Sequence, residues 1–327
     1  MVIARELTRA LNEAGHDAHI VVTPQNRFGR QASAYVATWL TDVGSSDGRP
    51  IDQVISLRYP SYAVRHPRHV CWLNHTMREY YDLWDRFSAT LSPPARVKER
   101  IRRGLIHAAD RYLLTRNVTK LVVQSRTIQR RLAIWPELRS TVVYPPAPAR
   151  AYRCDAYDDY ILFVSRLSPL KRTDLVLRAL AADEGRGLRI VIAGEGESRA
   201  SLEAFAREIG VADRVQFTGR VSDDRMIELL ARCRAVCFPP FEEDYGFVTV
   251  EAFASRKAVV TCRDSGGPAE LVGDGVSGYV CEPTPEAIAG ALRRLMDDPD
   301  QAESMGAEAL AAASRLTWTE TVRQLIV

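Results

Sequence analysis

The chain has 327 residues, more than a single hydrophobic core usually organises, so two domains are expected. Hydrophobic residues make up 46% and charged residues 26%, a globular composition that excludes an intrinsically disordered chain. No apolar run approaches the ~18 to 20 residues that cross a bilayer. The helical pattern of residues 1–15 carries arginine and glutamate and lacks the apolar centre of a signal peptide, which predicts a cytoplasmic protein.

The charge is divided unevenly along the chain. Residues 1–150 hold 23 lysines and arginines against 12 acidic residues, whereas residues 151–327 hold 21 against 29. This asymmetry predicts different partners for the two halves, with phosphates or an anionic membrane surface facing the basic half. The six cysteines are scattered, and Cys233 and Cys237 have no histidine or second cysteine pair nearby. Reduced thiols are therefore favoured over a metal clip.

The first half predicts a helix, then alternating strands and helices. A doubly wound half should open with a strand, so either the sheet is rearranged or the gene model starts late, and we favour the late start. A long helix is expected over 95–116 and a shorter one over 125–134. The candidate strands are 18–23, 53–57, 69–73, 120–125 and 141–144.

The second half gives the clearer pattern. The proline-rich stretch 144–148 cannot continue a helix or a central strand, which predicts domains of 1–148 and 149–327, with the last helix able to cross back to the first. Apolar strands without alternation, joined by helices, indicate a parallel sheet covered on both faces. The expected strands are 160–165, 188–193, 214–219, 235–240 and 258–262, and the expected helices are 173–182, 198–209, 223–233 and 247–256.

Three turns after these strands are candidates for a ligand, because ligands of open α/β sheets bind outside the carboxyl ends of strands. Arg166 and Lys171 lie on a turn that opens a helix, which suits a diphosphate, although a solvated basic turn is an equal alternative. Gly194 begins a Gly-x-Gly pair without the third glycine of a dinucleotide fingerprint, and the segment 219–221 follows the next strand. Both are tight turns by default.

The strongest signal is the acidic loop after strand 235–240. Glu243 precedes Gly246, which opens a helix, and Glu251 falls inside that helix. Carboxylates accept hydrogen bonds from neighbouring hydroxyls, and the helix start offers amide groups to a phosphate. Ordinary helix capping is the alternative for acidic residues at this position.

The stretch PPFEEDYGFVTVEAFASRKAVVTCRDSGGPAELVGDGVSGYV, with Glu243 and Glu251 eight residues apart, resembles the retaining glycosyltransferases of family 4. FVSRLSPLKRTDLVLRAL, VIAGEGES and RVQFTGRVSDDRMIELL follow that family's order. The resemblance covers 151–310 and continues more loosely through WLNHTMREYYDLWD, VVQSRTIQRRL and VVYPP. It implies an α/β fold of the GT-B type, two Rossmann-like doubly wound domains facing each other across a cleft.

The resemblance also implies residue roles. Arg166 and Lys171 would neutralise the donor diphosphate and Glu251 would bind the ribose. Glu243 would contact the donor sugar, and His75 would be brought across the cleft towards it; a plain cleft or core histidine is the alternative for His75. The remaining donor-binding residues are Gly194, Gly219, Arg220, Val221, Gly246, Phe247 and Val248.

The family pattern is not complete here. The usual first strand and its glycine-rich loop are absent, and Asp244 stands where the family has a glycine. A truncated or non-catalytic nucleotide-sugar-binding remnant therefore stays an alternative, as does a sugar-nucleotide epimerase of the same fold. Nucleic-acid binding is disfavoured because the basic residues lack interleaved aromatics and a reader motif.

The reaction implied is transfer of a hexose-like sugar, with retention, from a UDP or GDP donor to a glycan or lipid-linked acceptor in glycan, glycolipid or polysaccharide biosynthesis. No Asp-x-Asp-like cluster stands at a phosphate position, which predicts a metal-independent enzyme without a further cofactor. The segment 96–116 has seven basic and two acidic residues. A solvated helix face is its plain interpretation, and peripheral contact with a membrane is the sharper one.

Overall fold

The computed structural model describes residues 2–23 and 30–327, which divide into two compact units. The first unit contains the described residues up to Pro145 together with Trp318–Val327, and the second is Pro146–Thr317. The helices and strands in chain order are α1 (Val2–Glu13), α2 (Gln31–Trp39), β1 (Ser45–Ser46), β2 (Arg49–Pro50), β3 (Val54–Ser56), β4 (His69–Leu73), α3 (Trp84–Ala89), α4 (Pro93–Arg116), β5 (Lys120–Val123), α5 (Arg126–Leu132), β6 (Thr141–Val142), β7 (Ile161–Val164), α6 (Thr173–Ala181), β8 (Ile190–Ala193), α7 (Arg199–Glu208), β9 (Val215–Gly219), α8 (Asp223–Arg232), β10 (Ala235–Cys237), α9 (Phe247–Ala254), β11 (Val259–Cys262), α10 (Gly267–Leu271), β12 (Gly278–Cys281), α11 (Pro285–Asp297), α12 (Pro299–Ser314) and α13 (Trp318–Leu325).

The first unit is built on a parallel sheet of four strands in the order β3-β4-β5-β6. Strand β4 is buried along its whole length, as its unbroken apolar pattern predicts. Helix α4 packs on this sheet through Ile106, Leu113 and Leu114, which join Leu73 and Val123 in one core cluster. Strands β1 and β2 form a separate two-stranded antiparallel sheet.

One predicted strand, 18–23, is wrong. The segment has no regular secondary structure, and Ile20, Val21 and Val22 are 40%, 55% and 66% exposed. A strand exists only when a neighbouring strand accepts and donates its backbone hydrogen bonds, and no described strand pairs with this segment. Apolar composition alone does not supply that neighbour. The other predicted strands and helices are confirmed, with ends displaced by at most three residues.

The last helix, α13, packs on the first unit rather than the second. Gln53 Nε2 donates to the carbonyl of Leu325, and Lys120 Nζ donates to the carbonyl of Gln324, both at 2.7 Å. The Trp318 ring meets Trp72 edge to face with centroids 6.2 Å apart. The second unit therefore ends at Thr317 rather than at residue 327.

The second unit is a doubly wound α/β domain. Its six parallel strands run in the order β12-β11-β10-β7-β8-β9, with a core cluster on each face of the sheet. Helices α6, α7 and α11 contribute to one cluster, and α8 and α9 to the other. The strand order reverses direction between β7 and β10, and the crevice at such a switch point is where ligands of this architecture bind.

Candidate active site

The loops that follow β7 and β10 meet at this switch point. The amide of Phe241 donates to the carbonyl of Leu170 at 2.8 Å. Lys171 Nζ lies 2.5 Å from Glu243 Oε2, and each side chain keeps 20% of its surface exposed. A cation and a carboxylate from the predicted set are thus brought together at the carboxyl edge of the sheet, within reach of solvent and of a ligand.

Arg172 fixes the position of Lys171. Arg172 has a left-handed backbone (φ +51°) between the single turn that ends at Lys171 and helix α6. Its guanidinium donates two hydrogen bonds to Asp264, at 2.7 and 2.8 Å, and one each to the carbonyls of Pro239 and Pro240, both at 2.7 Å. The planar guanidinium of arginine can make all four of these hydrogen bonds at once. Sequence reasoning missed this role, although Lys171-Arg172 stood in the motif.

Arg166, the second predicted phosphate ligand, is held less firmly. Its side chain is 74% exposed and its guanidinium lies 3.2 Å from the carboxylate of Glu197 in the loop after β8. The pKa of Glu197 is lowered by a hydrogen bond from the backbone amide of Glu197 itself and, to a smaller extent, by Arg166. An exposed pair of this kind contributes little to stability, so the guanidinium is free to exchange its partner for an anion.

The predicted turn glycines lie side by side. The amide of Gly194 donates to the carbonyl of Gly219 at 2.9 Å, which joins the ends of β8 and β9. Gly194 has φ +150°, and a Cβ placed there would collide with the carbonyl oxygen of Ser165. Only glycine lets the loops after β7 and β8 approach this closely. Arg220 is exposed beside them, and Val221 packs partly against the core.

Helix α9 begins at Phe247, four residues after Glu243. Gly246 precedes the helix with φ +80° and offers no side-chain cap. A Cβ at Gly246 would lie 2.7 Å from Pro268 Cγ and 3.0 Å from the Phe238 ring. The first helical hydrogen bond comes from Thr249, so the amides of Phe247 and Val248 precede it. Such a helix start is suited to a phosphate.

Glu251 lies in the second turn of α9 with only 7% of its side chain exposed. Its Oε1 atom accepts hydrogen bonds from Arg150 Nη1 and from the Tyr152 hydroxyl, the latter at 3.1 Å. Burial raises the pKa of Glu251, and the charge of Arg150 opposes that rise. Sequence reasoning missed both partners, since they precede β7 in a stretch with no motif.

His75 follows β4 in the first unit and is partly buried. The residues around it are tied down: Arg78 donates two hydrogen bonds to Asp82, at 2.7 and 3.0 Å, and Arg131 lies 3.3 Å from the same carboxylate. The Tyr81 hydroxyl donates to Asp110 at 2.5 Å. The loop is therefore joined to α4 and α5 by side-chain contacts, and the role of His75 stays a prediction.

Two broader features concern metals and membranes. The described residues bring no three histidine, cysteine or acidic side chains together as a metal site, and metal-independent chemistry stays a prediction. Length and apolarity together rule out a bilayer-spanning helix anywhere in the described ranges.

Comparisons with known proteins address the family. The sequence model of the glycosyl transferases group 1 family matches residues 151–311. The D-inositol 3-phosphate glycosyltransferase of Nocardia farcinica is 33% identical over 177 residues, which are 51% of this chain and 39% of the relative. The chain thus spans about two fifths of the length of this curated relative.

Solved structures address the fold. Sucrose-phosphate synthase from Thermosynechococcus elongatus superimposes with a TM-score of 0.75 at 17% identity, covering 99% of this chain and 90% of that one. Anabaena HepE, solved in complex with UDP and glucose, gives a TM-score of 0.57 at 19% identity, covering 79% and 84%. These likenesses confirm the predicted GT-B fold. The predicted resemblance to glycosyltransferases is supported by the sequence match over 151–311. Over residues 151–311, the chain is therefore similar to the glycosyl transferases group 1 family.

Proposed function

We propose that this chain is a retaining glycosyltransferase that moves a sugar from a nucleoside-diphosphate donor to an acceptor hydroxyl, in glycan, glycolipid or polysaccharide biosynthesis. The observation that carries the proposal is the contact of Lys171 with Glu243 at the switch point, where α9 starts four residues after Glu243. A cation and amide groups at one edge suit a diphosphate, and a carboxylate there suits sugar hydroxyls.

Sugar transfer from such a donor requires stabilisation of the charge that develops in the transition state. The transition state resembles an oxocarbenium ion while negative charge grows on the departing diphosphate. Lys171 and the amides of Phe247 and Val248 would donate to that charge, and the mobile Arg166 side chain would join them when it leaves Glu197; donors aimed at developing charge supply much of the catalysis in such sites. Two cations of the chain itself supply what a metal ion would supply, so we propose metal-independent transfer with no cofactor besides the donor.

Glu251 would bind the ribose, and the backbone of the turns after β8 and β9 would border the base. Gly194, Gly219, Arg220 and Val221 present mainly main-chain atoms there, which leaves both UDP and GDP donors open. The UDP and glucose bound by Anabaena HepE support a nucleotide-sugar donor. His75 would approach the transferred sugar, as its family resemblance implies.

Calorimetric titration with UDP-sugars and GDP-sugars, followed by a turnover assay with and without acceptor glycans, tests the proposal. A transferase binds one donor class and turns it over to glycoside only with an acceptor. Conversion of the donor sugar without an acceptor would identify an epimerase, and binding without turnover would identify a non-catalytic remnant. Failure to bind either donor class contradicts the proposal.

We also propose that helix α4 of the first unit docks on an anionic membrane surface, where a lipid-linked acceptor would be reached. The outward side of α4 carries an apolar stripe whose members recur at helical spacing and are each more than half exposed: Val97, Ile101, Leu105 and Tyr112. The stripe is bordered by exposed cations: Lys98, Arg100, Arg111 and Arg116. Both carboxylates of the helix, Glu99 and Asp110, are buried on its other side.

An apolar stripe between cations complements an anionic lipid surface. We expect the protein to bind vesicles that contain phosphatidylglycerol and to bind neutral vesicles more weakly. The triple variant Val97→Gln, Ile101→Gln, Leu105→Gln should lose binding, whereas Leu310→Gln on α12 should keep it. Binding that depends neither on salt nor on the triple substitution contradicts this docking surface.

A further inference from the structure

We propose that Arg150 and Tyr152 are positioning residues that hold one carboxylate oxygen of Glu251, so that the other oxygen is presented to the ribose hydroxyls of the donor. This inference rests on the proposed function, because it assumes a nucleotide donor in the second unit. It concerns two residues to which neither the sequence motifs nor the family resemblance assigned a role.

Both donors converge on the same oxygen. Arg150 Nη1 and the Tyr152 hydroxyl bond to Oε1 of Glu251, and no described residue donates a hydrogen bond to Oε2. A tight turn produces this convergence, since the amide of Tyr152 donates to the carbonyl of Arg150 at 2.8 Å. An ionised carboxylate only accepts hydrogen bonds, so Oε2 keeps its acceptor capacity for a diol.

Burial makes this arrangement necessary. With 7% of its side chain exposed, Glu251 would carry a poorly solvated charge if it had no partner. Arg150 is 18% exposed and supplies the compensating charge from the segment that enters the second unit. Without Arg150 the carboxyl would tend to protonate, and a protonated carboxyl is a poorer acceptor for two hydroxyls.

Arg150 is itself oriented from a second side. Its Nη2 lies 3.1 Å from Asp223, the first residue of α8, whose side chain is 73% exposed. The guanidinium therefore spans Glu251 on α9 and Asp223 on α8 with its two terminal nitrogens. Lysine has one ammonium group on a flexible stem and cannot reproduce this planar span.

The test measures recognition of the ribose rather than activity. UDP and GDP are titrated calorimetrically against their 2′-deoxy and 3′-deoxy forms, with the wild type and with Arg150→Met, Tyr152→Phe and Glu251→Ala. We expect the wild type to prefer the ribose form of the bound nucleotide by roughly 10- to 100-fold, the range of a charged hydrogen bond. Glu251→Ala should abolish this preference, and Arg150→Met and Tyr152→Phe should reduce it.

A pH series adds a readout that a purely structural role would not move. The titratable groups that face Glu251 are Arg150 and Tyr152 from the entering segment and Asp223 from α8. In Arg150→Met the pKa of Glu251 should rise further, so the ribose preference should decline on acidification at a higher pH than in the wild type. Arg153→Met is the matched control, because Arg153 pairs with Asp155 in the same segment and should change neither quantity.

The outcomes are separable. If Arg150→Met fails to fold, Tyr152→Phe, which removes one hydroxyl, carries the test alone. If Glu251→Ala loses the ribose preference while Tyr152→Phe and Arg150→Met retain it in full, the positioning role is overturned and the proposed function stands. If the wild type binds no nucleoside diphosphate, the proposed function itself fails.

Discussion

Arg166 has a proposed role in catalysis although its side chain is largely exposed. Its side chain is 74% exposed and pairs across the surface with Glu197. A residue that contributes so little to folding can be replaced without structural damage, which makes its variant a clean probe of catalysis.

We expect Arg166→Ala to lower the turnover rate by roughly 10²-fold, the scale of losing one donor to transition-state charge. Arg186→Ala is the matched control, since Arg186 is also an exposed arginine that pairs with a nearby acid, Asp183. Arg186 precedes β8 and so lies towards the amino-terminal ends of the strands, away from the proposed site. Steady-state kinetics with donor and acceptor gives both values. A turnover unchanged by Arg166→Ala would remove this residue from the mechanism.

Glu251 should behave differently from Arg166. Its proposed contact with the ribose is present both in the bound donor and in the transition state, so uniform binding is lost when the carboxylate is removed. We expect Glu251→Ala to weaken donor binding by about 1.5–3 kcal/mol with a smaller effect on turnover. Titration of the donor measures the first quantity, and a selective fall in turnover would contradict the assignment.

At the scale of elements, the start of α9 depends on a single glycine. Gly246 has φ +80°, and a side chain there would press on Pro268 and Phe238. Gly246→Ala should therefore shift the helix start and weaken nucleoside diphosphate binding at least tenfold, because both strain and displaced amides act in the same direction. Gly290→Ala on α11, where an added Cβ meets no atom within 4 Å, is the control that should leave binding unchanged.

Helix α4 is joined to its neighbours by a buried carboxylate. Asp110 accepts hydrogen bonds from Tyr35 on α2, from Tyr62 and from Tyr81, the last at 2.5 Å. Burial raises the pKa of Asp110 to about 6, although the three hydroxyls oppose that rise. Because the folded-state pKa lies above the unfolded value of 3.8, the stability from this group is fully present below about pH 4 and is lost as pH rises through 6.

Comparison of the wild type with Asp110→Asn isolates this effect. His69 titrates in the same range with the opposite sign, since burial lowers its pKa to about 4. The difference in unfolding free energy between the two proteins should therefore change between pH 4 and pH 7. The unfolding free energy of the wild type should fall relative to that of Asp110→Asn as pH rises. Denaturant unfolding at several pH values measures it, and a difference independent of pH contradicts the shifted carboxyl.

The elements themselves were largely predictable because a strand buried on both faces has a distinctive unbroken apolar run. The segment 18–23 has a similar apolar composition but forms no strand, because a strand needs a neighbouring strand that the local sequence does not encode. Contacts such as Arg150 with Glu251, 101 residues apart, arise from the topology of the sheet and leave no local pattern. Lys171, Glu243 and Gly246 could be found because each stands in a motif after a strand.

For the molecule as a whole, binding of the proposed donor would be coupled to the stability of the second unit. A ligand that binds only the folded state, present at 100 times its dissociation constant, raises the free energy of unfolding by about 2.7 kcal/mol. Thermal unfolding with UDP and with GDP should show this rise for the nucleotide of the true donor and not for the other. Equal responses to both, or to neither, would contradict selective recognition of the nucleotide.

We propose above all that a nucleoside diphosphate binds at the switch point between β7 and β10. A crystal structure with the tighter-binding of UDP and GDP tests it most directly. We predict the diphosphate within hydrogen-bond distance of Lys171 Nζ and of the amides of Phe247 and Val248, with the ribose at Glu251. A diphosphate bound elsewhere, with Lys171 and Glu243 still paired only to each other, would contradict the account.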